Sequence, residues 1–113
     1  MKRLPLVPII CLVVSIVSCS VLFTSCGSKQ TPAELGKLVY ESQDCKSCHL
    51  LAGQGNKGPG PDLSHIGSKW SAEKIRTQIT DPAKIDPQAK MPAHTGIPKP
   101  DLDNLVAYLE SLK

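Results

Sequence analysis

Cys45-Lys46-Ser47-Cys48-His49 places two thiols and an imidazole within five residues. The other three cysteines of the chain, Cys11, Cys19 and Cys26, all lie in or at the end of an apolar leader. The spacing C-x-x-C-H admits three chemistries: a zinc site, a redox disulfide or a covalently attached haem. A structural zinc site needs four ligands, usually two cysteine pairs or one pair with two histidines. Beyond CKSCH the chain has no second pair, and His65 and His94 are isolated. A redox dithiol of the thioredoxin kind opens a helix in a β-α-β unit, and no run here alternates like a strand. Covalent haem attachment remains. On one helical turn Cys45 and Cys48 stand at i and i+3, on the same side. Both sulfurs can then reach the two vinyl groups along one haem edge, and His49 follows directly to bind iron through Nε2.

The sequence around this motif divides in two. Met1-Lys2-Arg3 is followed by an uncharged apolar or small stretch from Leu4 to Ser25, which reads as an export leader or a membrane anchor. Leu22-Phe23-Thr24-Ser25-Cys26 resembles a bacterial lipobox, with polar Gly27-Ser28-Lys29-Gln30 after it. The resemblance implies cleavage before Cys26 and a lipid on that cysteine. The alternative is an uncleaved helix over residues 6–26, long enough to span a bilayer. Residues 1–25 are thus expected to be leader, 26–30 a linker and 31–113 the domain. Either way the domain is expected outside the cytoplasm and tethered to a membrane.

From Cys26 onward the chain carries 11 basic and 10 acidic residues, a net charge of only +1. That balance and the lack of a basic stripe give no reason to propose nucleic acid as a partner. Aromatic residues are scarce beyond the leader, where only Tyr40, Trp70 and Tyr108 remain. So small a core calls for a staple or a bound apolar group.

Thr31-Pro32-Ala33-Glu34 has the form of a capping box with proline in the first turn, and Leu35, Leu38 and Val39 give the following helix an apolar face to about Ser42. Residues 50–68 hold five glycines and two prolines and read as an ordered loop. Ser71 caps a helix to about Thr80, with Ile75 and Ile79 at i and i+4. Residues 82–100 contain five prolines and no helical period. Leu102, Leu105, Val106, Leu109 and Leu112 mark a last amphipathic helix. The expected class is all-α with long loops.

CKSCH with three further features resembles the class I c-type cytochromes from about Thr31 to Lys113. Gly60-Pro61-Asp62-Leu63 looks like the family's G-P-x-L loop, whose proline carbonyl accepts from the histidine Nδ1–H. Lys90-Met91-Pro92 matches its distal ligand loop. Gly36 with Tyr40, and Leu105 with Tyr108, are spaced like its terminal helix signatures, and Gly36 would let the two helices cross closely. Trp70 resembles a tryptophan near the haem propionates. The resemblance implies three to four helices wrapped around one haem c, with His49 and Met91 as iron ligands and Pro61 and Trp70 as supports. His94 and His65 are the rivals to Met91. Only 42 residues separate His49 from Met91, as in compact bacterial members, which implies an exposed haem edge. The implied function is one-electron transfer with transient redox partners rather than catalysis. The competing functions are gas binding or peroxide chemistry at a labile sixth position, and a fixed haem subunit of a respiratory complex.

Overall fold

The computed structural model describes residues 29–55 and 58–113. The leader, Cys26 and most of the linker lie outside them. Among the described residues no helix is long and apolar enough to cross a membrane.

Helix α1, Pro32–Ser42, begins as its first residues dictate. The Thr31 N–H donates to Glu34 Oε2 at 2.7 Å, and Glu34 N–H donates to Thr31 Oγ1 at 3.3 Å, so each residue satisfies a donor of the other. The hydrogen bond from the Thr31 backbone holds the Glu34 carboxyl below its usual range. A 3₁₀ turn, Cys45–Ser47, follows. Asp44, at φ 54° and ψ 33°, supplies the left-handed residue that turns the chain out of α1 and into it.

The all-α expectation holds with one addition. Leu50–Leu51 (β1) and Gln54–Gly55 (β2) form a short antiparallel pair, Leu50 opposite Gly55 and Leu51 opposite Gln54. Two-residue strands are too short for alternation to register in a sequence. Three helices come next: α2 at Ile66–Lys69, α3 at Ala72–Thr80 and α4 at Pro82–Ile85. Ser71 caps α3 as expected, accepting from Lys74 N–H at 3.3 Å. Helix α4 departs from the expected proline loop: Pro82 sits buried at its first position, where a missing N–H costs nothing. The last helix, α5, is Lys99–Ser111.

The core joins α1, α3 and α5. Its buried members are Tyr40, Ile75, Ile79, Ile97, Leu102, Leu105, Val106 and Leu109. The apolar faces of α3 and α5 are therefore the expected ones. That of α1 is not. Leu38 is 52% exposed, while Gly36 and Tyr40 are the buried residues of that helix. The helix meets α5 on its Gly36 side. A β-carbon at Gly36 would fall on the Asn104 carbonyl and 2.7 Å from Tyr108 Cβ. Glycine there lets the two backbones touch and brings Tyr40 and Tyr108 edge to face, with ring centres 5.9 Å apart.

Candidate haem site

The walls of one cleft are built from parts of the chain that lie far apart in sequence. Tyr40 comes from α1, Cys45 from the 3₁₀ turn and His49 from just beyond it; Ile79 comes from α3 and Leu105 from α5, while Met91 and His94 share the proline-rich segment between α4 and α5. The space they enclose is about 330 Å³ including its open mouth. Its lining residues are otherwise aliphatic.

The 3₁₀ turn sets the cysteines. Cys48 N–H and His49 N–H both donate to the Cys45 carbonyl, at 3.2 and 3.0 Å, so the turn closes on itself between the two thiols. Cys45 is half-buried in the cleft wall and Cys48 is exposed beside it. Burial pushes the Cys45 thiol up to about 11, so in the free-thiol form it stays neutral at physiological pH.

His49 is oriented from behind. Its Nδ1 lies 2.9 Å from the Pro61 carbonyl oxygen. A carbonyl can only accept, so Nδ1 carries the proton and Nε2 keeps the lone pair. The preceding Gly60 N–H donates to the Cys48 carbonyl at 3.1 Å. A β-carbon at Gly60 would lie 2.5 Å from His49 Cε1 and 2.6 Å from Nδ1, so only glycine lets the loop press this closely on the imidazole. The loop is itself tied down. Leu63 N–H donates to the Leu50 carbonyl at 2.8 Å, and Ser64 Oγ accepts from Ala52 N–H at 2.7 Å. The short strand pair thus anchors the segment that carries Pro61.

Met91 is half-buried, and its Sδ is 3.7 Å from Gln78 Nε2 on α3. His94, also in the lining, is pinned by its backbone N–H to the Ile79 carbonyl at 2.8 Å. The fold brings Cys45, His49, Met91 and His94 together, with Pro61 behind the imidazole, while Cys48 is exposed and does not line the cleft. Two residues stand apart. Trp70 packs against the core without lining the cleft, and Lys74 Nζ lies 4.3 Å from its ring centre. His65 is also remote, donating through Nδ1 to the Lys113 carbonyl at 2.7 Å. Gln78 was not legible in the sequence: a polar helical residue beside Ile79 carries no motif.

These residues fit a haem. The cleft walls are apolar. The Tyr40 hydroxyl is buried with no hydrogen-bond partner among the described residues, and burial raises its pKa to about 12. An imidazole nitrogen, a thioether sulfur and two thiols are donors suited to iron and to the vinyl edge of the ring. Comparison with known proteins agrees. The family model described as "Cytochrome c" matches residues 33–113. The chain is also 30% identical over 92 residues to cytochrome c oxidase subunit 2 of Alkalihalophilus pseudofirmus, a match covering 74% of this chain. It spans only about a quarter (27%) of that relative's length. The chain belongs to the cytochrome c family and carries covalently bound haem c, for which Cys45 and Cys48 with His49 form the attachment motif.

Proposed function

We propose that the chain is a one-electron carrier with His49 and Met91 as axial ligands of the haem iron. Haem c supplies a ferric/ferrous couple. The residues of this chain decide how that couple is held. Cys45 and Cys48 would hold the ring as two thioethers, each the product of adding S–H across a vinyl double bond with no net oxidation. His49 offers Nε2 because its Nδ1 proton is committed to the Pro61 carbonyl, an arrangement that also makes the ring a better donor. Met91 offers a thioether sulfur, which favours ferrous iron and raises the reduction potential. With His49 and Met91 both on the iron, the site would leave no open position for a substrate. The observation that carries the reading is that His49 and Met91 line one apolar cleft, with Nε2 of the imidazole left free.

The tether belongs to the same proposal. A lipid on Cys26, or failing that an N-terminal helix, holds the domain outside the cytoplasm near membrane-bound donors and acceptors. Partners dock weakly and briefly, as redox encounters do. The likeness to an oxidase subunit supports an oxidase as the acceptor. It also favours a second reading, in which the domain is a fixed haem subunit of such a complex. Purification from the native membrane in mild detergent separates the two: a carrier elutes alone, a subunit with its complex.

Spectroscopy of the Met91→Ala variant tests the ligand assignment. Haem should stay attached while the far-red sulfur-to-iron band disappears, the potential drops and the reduced protein binds carbon monoxide. A wild-type protein that already lacks the band and binds carbon monoxide readily would replace the carrier reading with gas binding. His94, three residues along in the same cleft, would then be the distal group.

A further inference from the structure

We infer that His94 is a reserve iron ligand: when the Met91 sulfur leaves the iron, the His94 imidazole takes its position and keeps the site closed. The inference rests on Met91 being the resting ligand, as proposed above. His94 acts after Met91, not in place of it. It is half-buried in the wall of the cleft that also holds His49 and Met91. Its ring is uncommitted. His49 and His65 each engage a carbonyl through Nδ1, at 2.9 and 2.7 Å, whereas neither ring nitrogen of His94 has a hydrogen-bond partner among the described residues. A polar ring in an apolar wall is left short of a partner, and a neutral imidazole nitrogen is a common metal ligand.

The loop is arranged to lose one donor and keep the other. Among the described residues no backbone hydrogen bond fastens residues 90–93, and Pro92 has no N–H to give. His94 is fastened on both sides. Its N–H donates to the Ile79 carbonyl at 2.8 Å, and Ile97, three residues on, is buried in the core. That anchor stays when Met91 goes. Thr95 is exposed and a β-carbon at Gly96 would meet no atom within 4 Å, so the segment bearing the imidazole has room to turn. Hydrogen peroxide gives the exchange its occasion. It transfers one oxygen atom to the Met91 sulfur and leaves as water, a two-electron oxidation of thioether to sulfoxide. His94 in the vacated position lowers the potential, because the thioether's preference for ferrous iron is gone, and it denies further peroxide an open site.

The test compares the haem-loaded full chain as wild type, as Met91→Leu and as Met91→Leu combined with His94→Phe. Leucine keeps the bulk of methionine without its sulfur; phenylalanine keeps a ring without its nitrogens. Ferric Met91→Leu should lose the far-red band yet stay low-spin, with the electron paramagnetic resonance signal of two imidazoles. The double variant should be high-spin or water-ligated, and free imidazole should restore its low-spin spectrum. With His94 on the iron about nine-tenths of the time, azide should bind ferric Met91→Leu about tenfold more weakly than the double variant. Should Met91→Leu fail to fold, Met91→Ala with and without His94→Phe makes the same comparison. Equal azide affinity and a high-spin spectrum in both proteins would overturn the inference and leave the Met91 assignment standing. A far-red band absent from wild type, or surviving in Met91→Leu, overturns the assignment and the inference with it.

Discussion

Replacing Gly36 with alanine tests the packing on which the cleft depends. The added β-carbon would stand on the Asn104 carbonyl oxygen, 2.5 Å from its carbon and 2.7 Å from Tyr108 Cβ. Comfortable carbon–carbon separations are about 3.5–4.0 Å, so α5 must back away by roughly 1 Å. Asn104 contributes backbone inside a helix and has no rotamer by which to yield. Overpacking of this kind costs about 1–3 kcal/mol, and a backbone obstacle belongs at the top of that range. Alanine returns about 1 kcal/mol through helix propensity, which leaves a net loss of about 2 kcal/mol. For a domain of this size each kcal/mol moves Tm by about 4–8 °C, so the variant should melt roughly 8–16 °C lower. Gly96→Ala is the control, because a β-carbon there meets no atom within 4 Å; its Tm should hardly move. Far-UV circular dichroism of the haem-loaded proteins on heating measures both. A Gly36→Ala melt within about 3 °C of wild type, or an equal drop in Gly96→Ala, would refute the close-crossing argument.

Three further outcomes are expected. Denaturing gels stained for haem peroxidase activity should show colour at the domain's mass, and acid–acetone extraction should leave the haem in place; Cys48→Ser should leave only the Cys45 link. Mass spectrometry of the mature N-terminus should find lipid on Cys26, whereas a chain beginning near Met1 would favour the helical anchor. Asp62 is held below its usual range chiefly by hydrogen bonds from Ser64. Its charged form therefore stabilises the fold above its unfolded value of about 3.9, and the contribution is lost as pH falls through the lower folded value. Asp62→Asn should flatten that part of the acid unfolding curve, and an unchanged acid limb would show that the turn does not depend on the charge.

Much of the site was written in short motifs. CKSCH, the Gly60-Pro61 pair and Met91-Pro92 each force a local geometry through a small residue, a missing donor or a fixed spacing, and such constraints survive translation into structure. The Pro61 carbonyl stands where the motif implied. The exposed Leu38 shows what an apolar pattern does not carry. Apolar spacing pointed to Leu35, Leu38 and Val39, whereas α1 is seated by Gly36, which the family's helix signature implied and which has no side chain to add to a hydrophobic pattern. Helices α2 and α4 were missed because four residues make a single turn and show no period. Gln78 was missed for a different reason: its meaning comes from a partner thirteen positions away. For Trp70 the structure adds a neighbour that no motif named, Lys74, whose Nζ lies 4.3 Å from the ring centre.

The walls of the cleft are far apart along the chain. Cys45 and His49 stand near its front, whereas Leu105 and Leu109 close the same space from α5, some sixty residues later. Chains are made N-terminal end first, at about 5–20 residues per second. The two thiols are therefore synthesised roughly 3–12 seconds before the helix that completes their pocket. During that interval CKSCH is an open segment without its far wall. Whenever the chain folds, the docking of α5 on α1, a contact between distant parts of the chain and hence slow to form, is what closes this side of the cleft.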